Sequence, residues 1–147
     1  MSITPAQLST FKTDIQSNAG VTALLAAKNY TGIAAFYNGA GTGSVWNPSL
    51  TIAQIMTAIV WSEFIALTTA KMTAFQVMTA NGQIDATSAN IRNGFSTIFA
   101  ATTTLTNLTA IASKTPTVFE ALYASANVTP VYGYVVQLQD VYNALGV

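Results

Sequence analysis

The sequence predicts an all-α protein: a compact helical bundle around a long central helix at about residues 49–80, with a short extended or β arm near its C-terminal end. Three observations lead to that expectation. Apolar residues recur at i, i+3 and i+4 through most of the chain. Threonine-led starts, "TPAQ" at 4–7, "TIAQ" at 51–54 and "TP" at 115–116, stand before apolar runs. Asn81-Gly82 supplies the pair that most readily takes the left-handed conformation ending a helix.

The elements follow in order. Thr4 caps a first helix with Pro5 at its first position and Gln7 reaching back, and Leu8, Phe11 and Ile15 form its apolar face until residues 18–20 end it. Helical pieces at 21–27 and 31–37 meet at Asn29 and Tyr30. "NGAGTGS", residues 38–44, is read as a flexible Gly-rich loop; it lacks the Gly-Lys-Ser/Thr ending that would put a lysine on a phosphate. Asn47-Pro48 turns the chain, and Thr51 with Gln54 starts the central helix. Asp85, Thr87 or Ser88 caps the next helix, whose Ile91, Phe95, Ile98 and Phe99 share one face and whose Gly94 admits a close neighbour. The threonine-rich stretch 101–114 keeps helical spacing at Leu105, Leu108 and Ile111, and Thr115-Pro116 opens a helix running to about Ala124. "VTPVYGYVV", 128–136, is β-branched and aromatic, which suggests the extended arm, and "LQDVYNAL" is a last helical turn or two.

Composition narrows the function. A chain of 147 residues has the length of one domain, so residues 1–147 are expected as a single helical domain. Only 7% of residues are charged and the formal net charge is zero, which leaves little repulsion between copies and suits a permanently assembled subunit. Lys12, Lys28, Lys71, Arg92 and Lys114 are scattered singly, unlike a nucleic-acid footprint. Without cysteine or histidine the chain lacks thiol nucleophiles, zinc-thiolate sites and the common acid-base constellations, so no enzyme activity, metal, cofactor or small-molecule substrate is expected. The start, "MSITPAQLSTFK", has no basic and apolar regions of a signal peptide.

The apolar run 52–67 could be a membrane span, a buried helix or a pocket around Glu63. Glu63 inside the window and the missing Lys/Arg flanks argue against a span. A buried Glu63 needs a partner; Lys71 lies eight positions on, so Arg92 is the expected partner in a buried ion pair, with a catalytic Glu63 as the rival reading. Asp14, Asp85, Glu120 and Asp140 read as exposed or capping residues. Trp46, Trp61, Phe64, Phe75, Phe95, Phe99 and Phe119 read as core. Tyr132, Tyr134 and Tyr142 are candidate contacts for a protein partner, or residues that fold back on the bundle.

From Val45 on, the order of pieces carries a resemblance: "VW", "IAQIMTAIVWSEFIALT", "NGQIDATSANIRNGFSTIFA", "ASKTPTVFEALYA" and "VYGYVVQLQDVYNAL", with Trp46, Trp61-Ser62-Glu63, Ile91-Arg92, Gly94-Phe95 and Glu120-Ala121-Leu122. This pattern resembles small, largely uncharacterised virion proteins of tailed bacteriophages. The resemblance implies a structural protein made in the host cytoplasm and located in the virion. The position it implies first is that of a head-to-tail connector, a neck ring subunit whose partners are copies of itself and the neighbouring portal, tail or fibre proteins. Capsid decoration or tail-fibre adaptor proteins, and a small cytoplasmic protein-binding module, are the alternatives.

Overall fold

The computed structural model describes residues 3–124 and 131–147. The chain is mostly helical, with a few short antiparallel strand pairs. Where length alone predicts one domain, the chain gathers into two compact units: residues 1–44 with 115–147, and residues 45–114.

The first unit contains α1 (Pro5–Ser17), α2 (Thr22–Ala26), α3 (Tyr30–Asn38), α9 (Val118–Ala124) and α10 (Leu138–Leu145). The expected reciprocal cap forms at its start: the Gln7 N–H donates to Thr4 Oγ1 and the Thr4 N–H to Gln7 Oε1. α2 ends in a left-handed residue, Lys28 (φ 54°), with the Asn29 N–H donating to the Leu24 carbonyl and the Lys28 N–H to that of Leu25. Phe11 is the centre of the core, edge-on to Tyr37 at 4.8 Å and to Phe119 at 5.0 Å. Ile15, Ile33, Tyr123 and Val141 close around it.

Three expectations change in this unit. The 38–44 loop is tied down over its first half: Ala40 bridges Thr117, the Gly41 N–H donates to the Pro116 carbonyl at 2.9 Å, and the Val118 N–H donates to Gly39 at 2.9 Å. The helix expected from Thr115-Pro116 starts later, at Val118, because Thr117 and Glu120 make their own reciprocal cap. Residues 128–130 of the expected arm lie outside the described residues, and 131–136 form no strand. Val131 and Val136 are instead buried in the core, and Asn38 holds Val136 by both its N–H and its carbonyl.

The second unit runs β1 (Val45–Trp46), β2 (Leu50–Thr51), α4 (Ile52–Ala58), α5 (Trp61–Ile65), α6 (Thr69–Thr79), β3 (Gln83–Ile84), α7 (Ala89–Ile98), α8 (Thr103–Ala112) and β4 (Ser113–Lys114). β1 pairs antiparallel with β4, Val45 opposite Lys114, so the unit begins and ends on one strand pair; β2 pairs with β3, Leu50 opposite Ile84. Ile55, Ile59, Phe75, Phe95, Phe99 and Leu108 are buried in its core. Ser88 is the cap of α7, and Thr102 that of α8. A Cβ built on Gly94 would stand 2.9 Å from the Met78 side chain, which is the close neighbour anticipated there.

The long central helix is the main correction. The Thr51–Gln54 capping box forms as expected, but the helix stops at Ala58, restarts at Trp61 and again at Thr69. Neither interruption contains Gly or Pro. At the first, Ile59 (φ −74°, ψ 127°) and Val60 (φ −86°, ψ 107°) are extended. The Val60 N–H donates to Thr104 Oγ1 at 2.9 Å, and Asn107 Nδ2 donates to the Ala58 carbonyl at 3.1 Å. At the second, Thr68 acts as a local N-cap, accepting from the Lys71 N–H. Periodicity reports which residues face a core; hydrogen bonds from residues far along the chain hold the first interruption, and a local cap sets the second.

Candidate functional site

The Glu63 carboxylate of the second unit is bound at the start of α8. Glu63, at the third position of α5, accepts from the Thr103 N–H at 3.0 Å and the Thr104 N–H at 2.8 Å. These N–H groups belong to the first turn of α8, which has no intrahelical acceptors for them, and the helix dipole there favours a negative charge. Donation from Thr104, by side chain and backbone, and then from Thr103 holds the Glu63 carboxyl below the usual glutamate value, against the opposing effect of burial.

The expected Glu63–Arg92 ion pair is therefore corrected. Glu63 is half-buried and satisfied by amides. Arg92 Nη1 donates to the Ala86 and Thr87 carbonyls, both at 2.7 Å, and its guanidinium lies 4.5 Å from the centre of the Trp46 ring. The carboxylate takes helix-end amides, and the guanidinium takes the carbonyls of the turn before α7 together with an aromatic face. The rival reading of Glu63 as a general acid or base calls for a carboxyl raised toward neutrality, whereas both oxygens of Glu63 accept from helix-end amides, which favour the charged form.

Arg92 and Trp46 also border a cavity of about 60 Å³ whose other walls are almost wholly apolar, among them Leu50, Ile55, Ile84, Phe95 and Leu108. It is well below the ~150 Å³ at which an apolar cavity takes up a benzene-sized guest. Trp61, expected in the core, is 52% exposed, and Ile65 one turn on is 73% exposed. Phe64, between them, faces inward and packs edge-on against Phe75 at 5.3 Å.

In the first unit the three candidate contact tyrosines occupy different settings. Tyr134 packs on Phe119 at 5.5 Å and donates to Asp140 at 2.8 Å; burial first, and then that bond, push its hydroxyl up to about 12. Tyr142 meets Tyr30 edge-on at 5.3 Å, and Tyr132 is half-buried. Two further tyrosines are buried in polar roles that the sequence reading missed. Tyr37 donates to Asp14, which also accepts from Asn18, and Tyr123 donates to the Gln7 carbonyl at 2.6 Å. Burial raises both hydroxyls, helped at Tyr37 by its bond to Asp14 and at Tyr123 by the charge of Asp14. Glu120, expected to cap, does so while 3% exposed, accepting from the Thr117 N–H at 2.8 Å and from the Gly133 N–H.

Among the described residues, no three His, Cys, Asp or Glu side chains are grouped to hold a metal ion, and no helix is long and apolar enough to cross a membrane. The fold defines a mostly helical protein of two small units with minor antiparallel strand pairs. Compared with protein-family models, curated proteins and solved structures, the chain matches none.

Proposed function

We propose that this protein is a structural subunit of a tailed-bacteriophage virion, placed at the head-to-tail connector and assembled there as a ring with copies of itself and neighbouring virion proteins. The observation that carries this reading is the exposure of Trp61 and Ile65 on one short helix of a chain with only 7% charged residues. Large apolar side chains left in water on a weakly charged surface favour association, and a tryptophan is well suited to the centre of a protein interface. The resemblance running from Val45 to the end of the chain supports the choice of a virion assembly.

The test is placement in the particle. Virions carrying an epitope-tagged copy, labelled with gold and imaged, should show label at the neck. Label on the capsid shell or at the tail tip would move the protein to another structural role, and purified virions without the protein would overturn the reading. Independently, native mass spectrometry of the purified protein should show a closed oligomer.

A further inference from the structure

The interruption between α4 and α5 is held from outside. In a continuous helix the Val60 N–H would donate to the Met56 carbonyl, and the Ala58 carbonyl would accept from the Ser62 N–H. Those two groups, Val60 N–H and Ala58 carbonyl, are the ones α8 takes, through Thr104 Oγ1 and Asn107 Nδ2. Thr104 is completely buried, so its acceptor meets no competing water. The sequence 52–65 contains no Gly or Pro that would forbid a helix. Ile59 and Val60 are β-branched, which lowers helix propensity only slightly, and Ile52 and Ile55 sit within α4 all the same.

α5 is also weakly anchored. None of its five residues is buried, and its ties are the Glu63 bonds to the start of α8 and the Phe64–Phe75 ring contact. A segment with so few buried contacts belongs to the low-stability end of a fold. The second interruption differs, because Thr68 caps α6 locally and needs no help from α8.

We propose that the Ile59–Val60 joint is a conformational latch: when Thr104 and Asn107 release it, α4 and α5 fuse into one helix over residues 52–65, which swings α5 and re-aims Trp61 and Ile65. The fused helix satisfies internally the same two backbone groups that α8 satisfies in the latched form. The Val60 N–H and the Ala58 carbonyl thus have a partner in both states, one condition for two packings to lie close in energy.

The experiment uses the full chain labelled with fluorotryptophan and with ¹³C and ¹⁵N, the Trp61 signal being assigned by Trp46→Phe. In Thr104→Val with Asn107→Leu, the Cα shifts of Ile59 and Val60 should move from extended to helical values. The Trp61 fluorine signal should shift and the Ser62 amide should exchange more slowly. Should the double variant not fold, the isosteric Thr104→Val alone is read in the same way. A folded variant whose Ile59 and Val60 stay extended overturns the latch. Val60→Pro added to either variant is the control. It fits the extended joint and cannot donate to Met56, so it should return the Trp61 signal to its wild-type position. A Trp61 shift that survives Val60→Pro overturns the proposal.

Discussion

Gly41 and Gly43 lie two residues apart in the same glycine-rich loop, and substituting each by alanine should have unequal effects. Gly43 has φ 86°, where an L side chain is strained, but a Cβ there meets nothing within 4 Å. Its replacement should cost about 1 kcal/mol, the left-handed penalty of ~1–2 kcal/mol being partly offset because alanine also restricts the unfolded chain. Gly41 has an ordinary φ, yet its Cβ would stand 2.8 Å from the Thr117 carbonyl oxygen and 3.0 Å from the Thr117 carbonyl carbon. Those are backbone atoms that cannot rotate away. To make room the Ala40–Thr117 bridge must open, and with it the hydrogen bonds Gly41 N–H to Pro116 and Val118 N–H to Gly39. Overpacking at ~1–3 kcal/mol, with two backbone bonds at ~0.5–1.5 kcal/mol each, gives roughly 2–6 kcal/mol. Urea unfolding of the two variants, with free energies compared at constant m, measures the difference. A Gly41→Ala variant no less stable than Gly43→Ala would show that the loop is free of residues 116–118 and that its glycines serve only as a flexible link.

Other expectations follow from the same contacts. Lys28→Gly should stabilise the protein by about 0.5–1 kcal/mol in the same melts, since Lys28 holds the left-handed position of a helix-ending motif that glycine fills without strain. Glu63→Leu and Arg92→Met should have additive effects with no measurable coupling, because the two side chains have separate partners; a positive rescue in the double variant would restore the ion pair. From neutral pH upward, stability should be level to about pH 10 and fall above it. The hydroxyls of Tyr37, Tyr123 and Tyr134 are all raised in the folded state, so their contribution is complete below the unfolded tyrosine value of 10.0 and is lost as pH climbs through the folded values, the lowest about 12 at Tyr134. Replacing all three by phenylalanine should flatten that alkaline fall, and an unchanged profile would refute the assignment.

What could be read from the sequence was mainly what is local. Thr4 with Gln7 and Thr51 with Gln54 cap their helices as the spacing predicts, because both partners lie within one turn. The Thr117–Glu120 cap is equally local, but Pro116 one residue earlier suggests a helix start of its own and masks it. The broken central helix could not be read this way. Its first interruption depends on Thr104 and Asn107, 44 and 49 residues away from the groups they bind, and the apolar pattern is unaffected by it. Glu63 takes amide partners in place of the expected Arg92 for a related reason. Looking for a counter-charge is sound for a buried carboxylate, but the start of a distant helix serves as well and leaves no mark in the local sequence. The β-branched stretch before the last helix likewise reads as an arm until Val131 and Val136, five residues apart, are seen buried in the same core.

The carboxylates share a logic that bears on how the protein responds to salt. Asp14 accepts from Tyr37 and Asn18, Glu63 from two amides of α8, Asp85 from Thr87, Glu120 from the amides of Thr117 and Gly133, and Asp140 from Tyr134 and Gln137. Each of the five acids accepts from neutral N–H or O–H donors among the described residues, and three of the five sit at helix starts. Such bonds act at contact distance, whereas salt screens charges acting through solvent over a Debye length of about 10 Å at 0.1 M and about 3 Å at 1 M. Unfolding free energies measured between about 0.05 M and 1 M sodium chloride should therefore stay level, or rise slightly as salt strengthens apolar burial. A steady loss of stability across that range would mean that pairs of opposite charge, and not these neutral caps, hold the carboxylates in place.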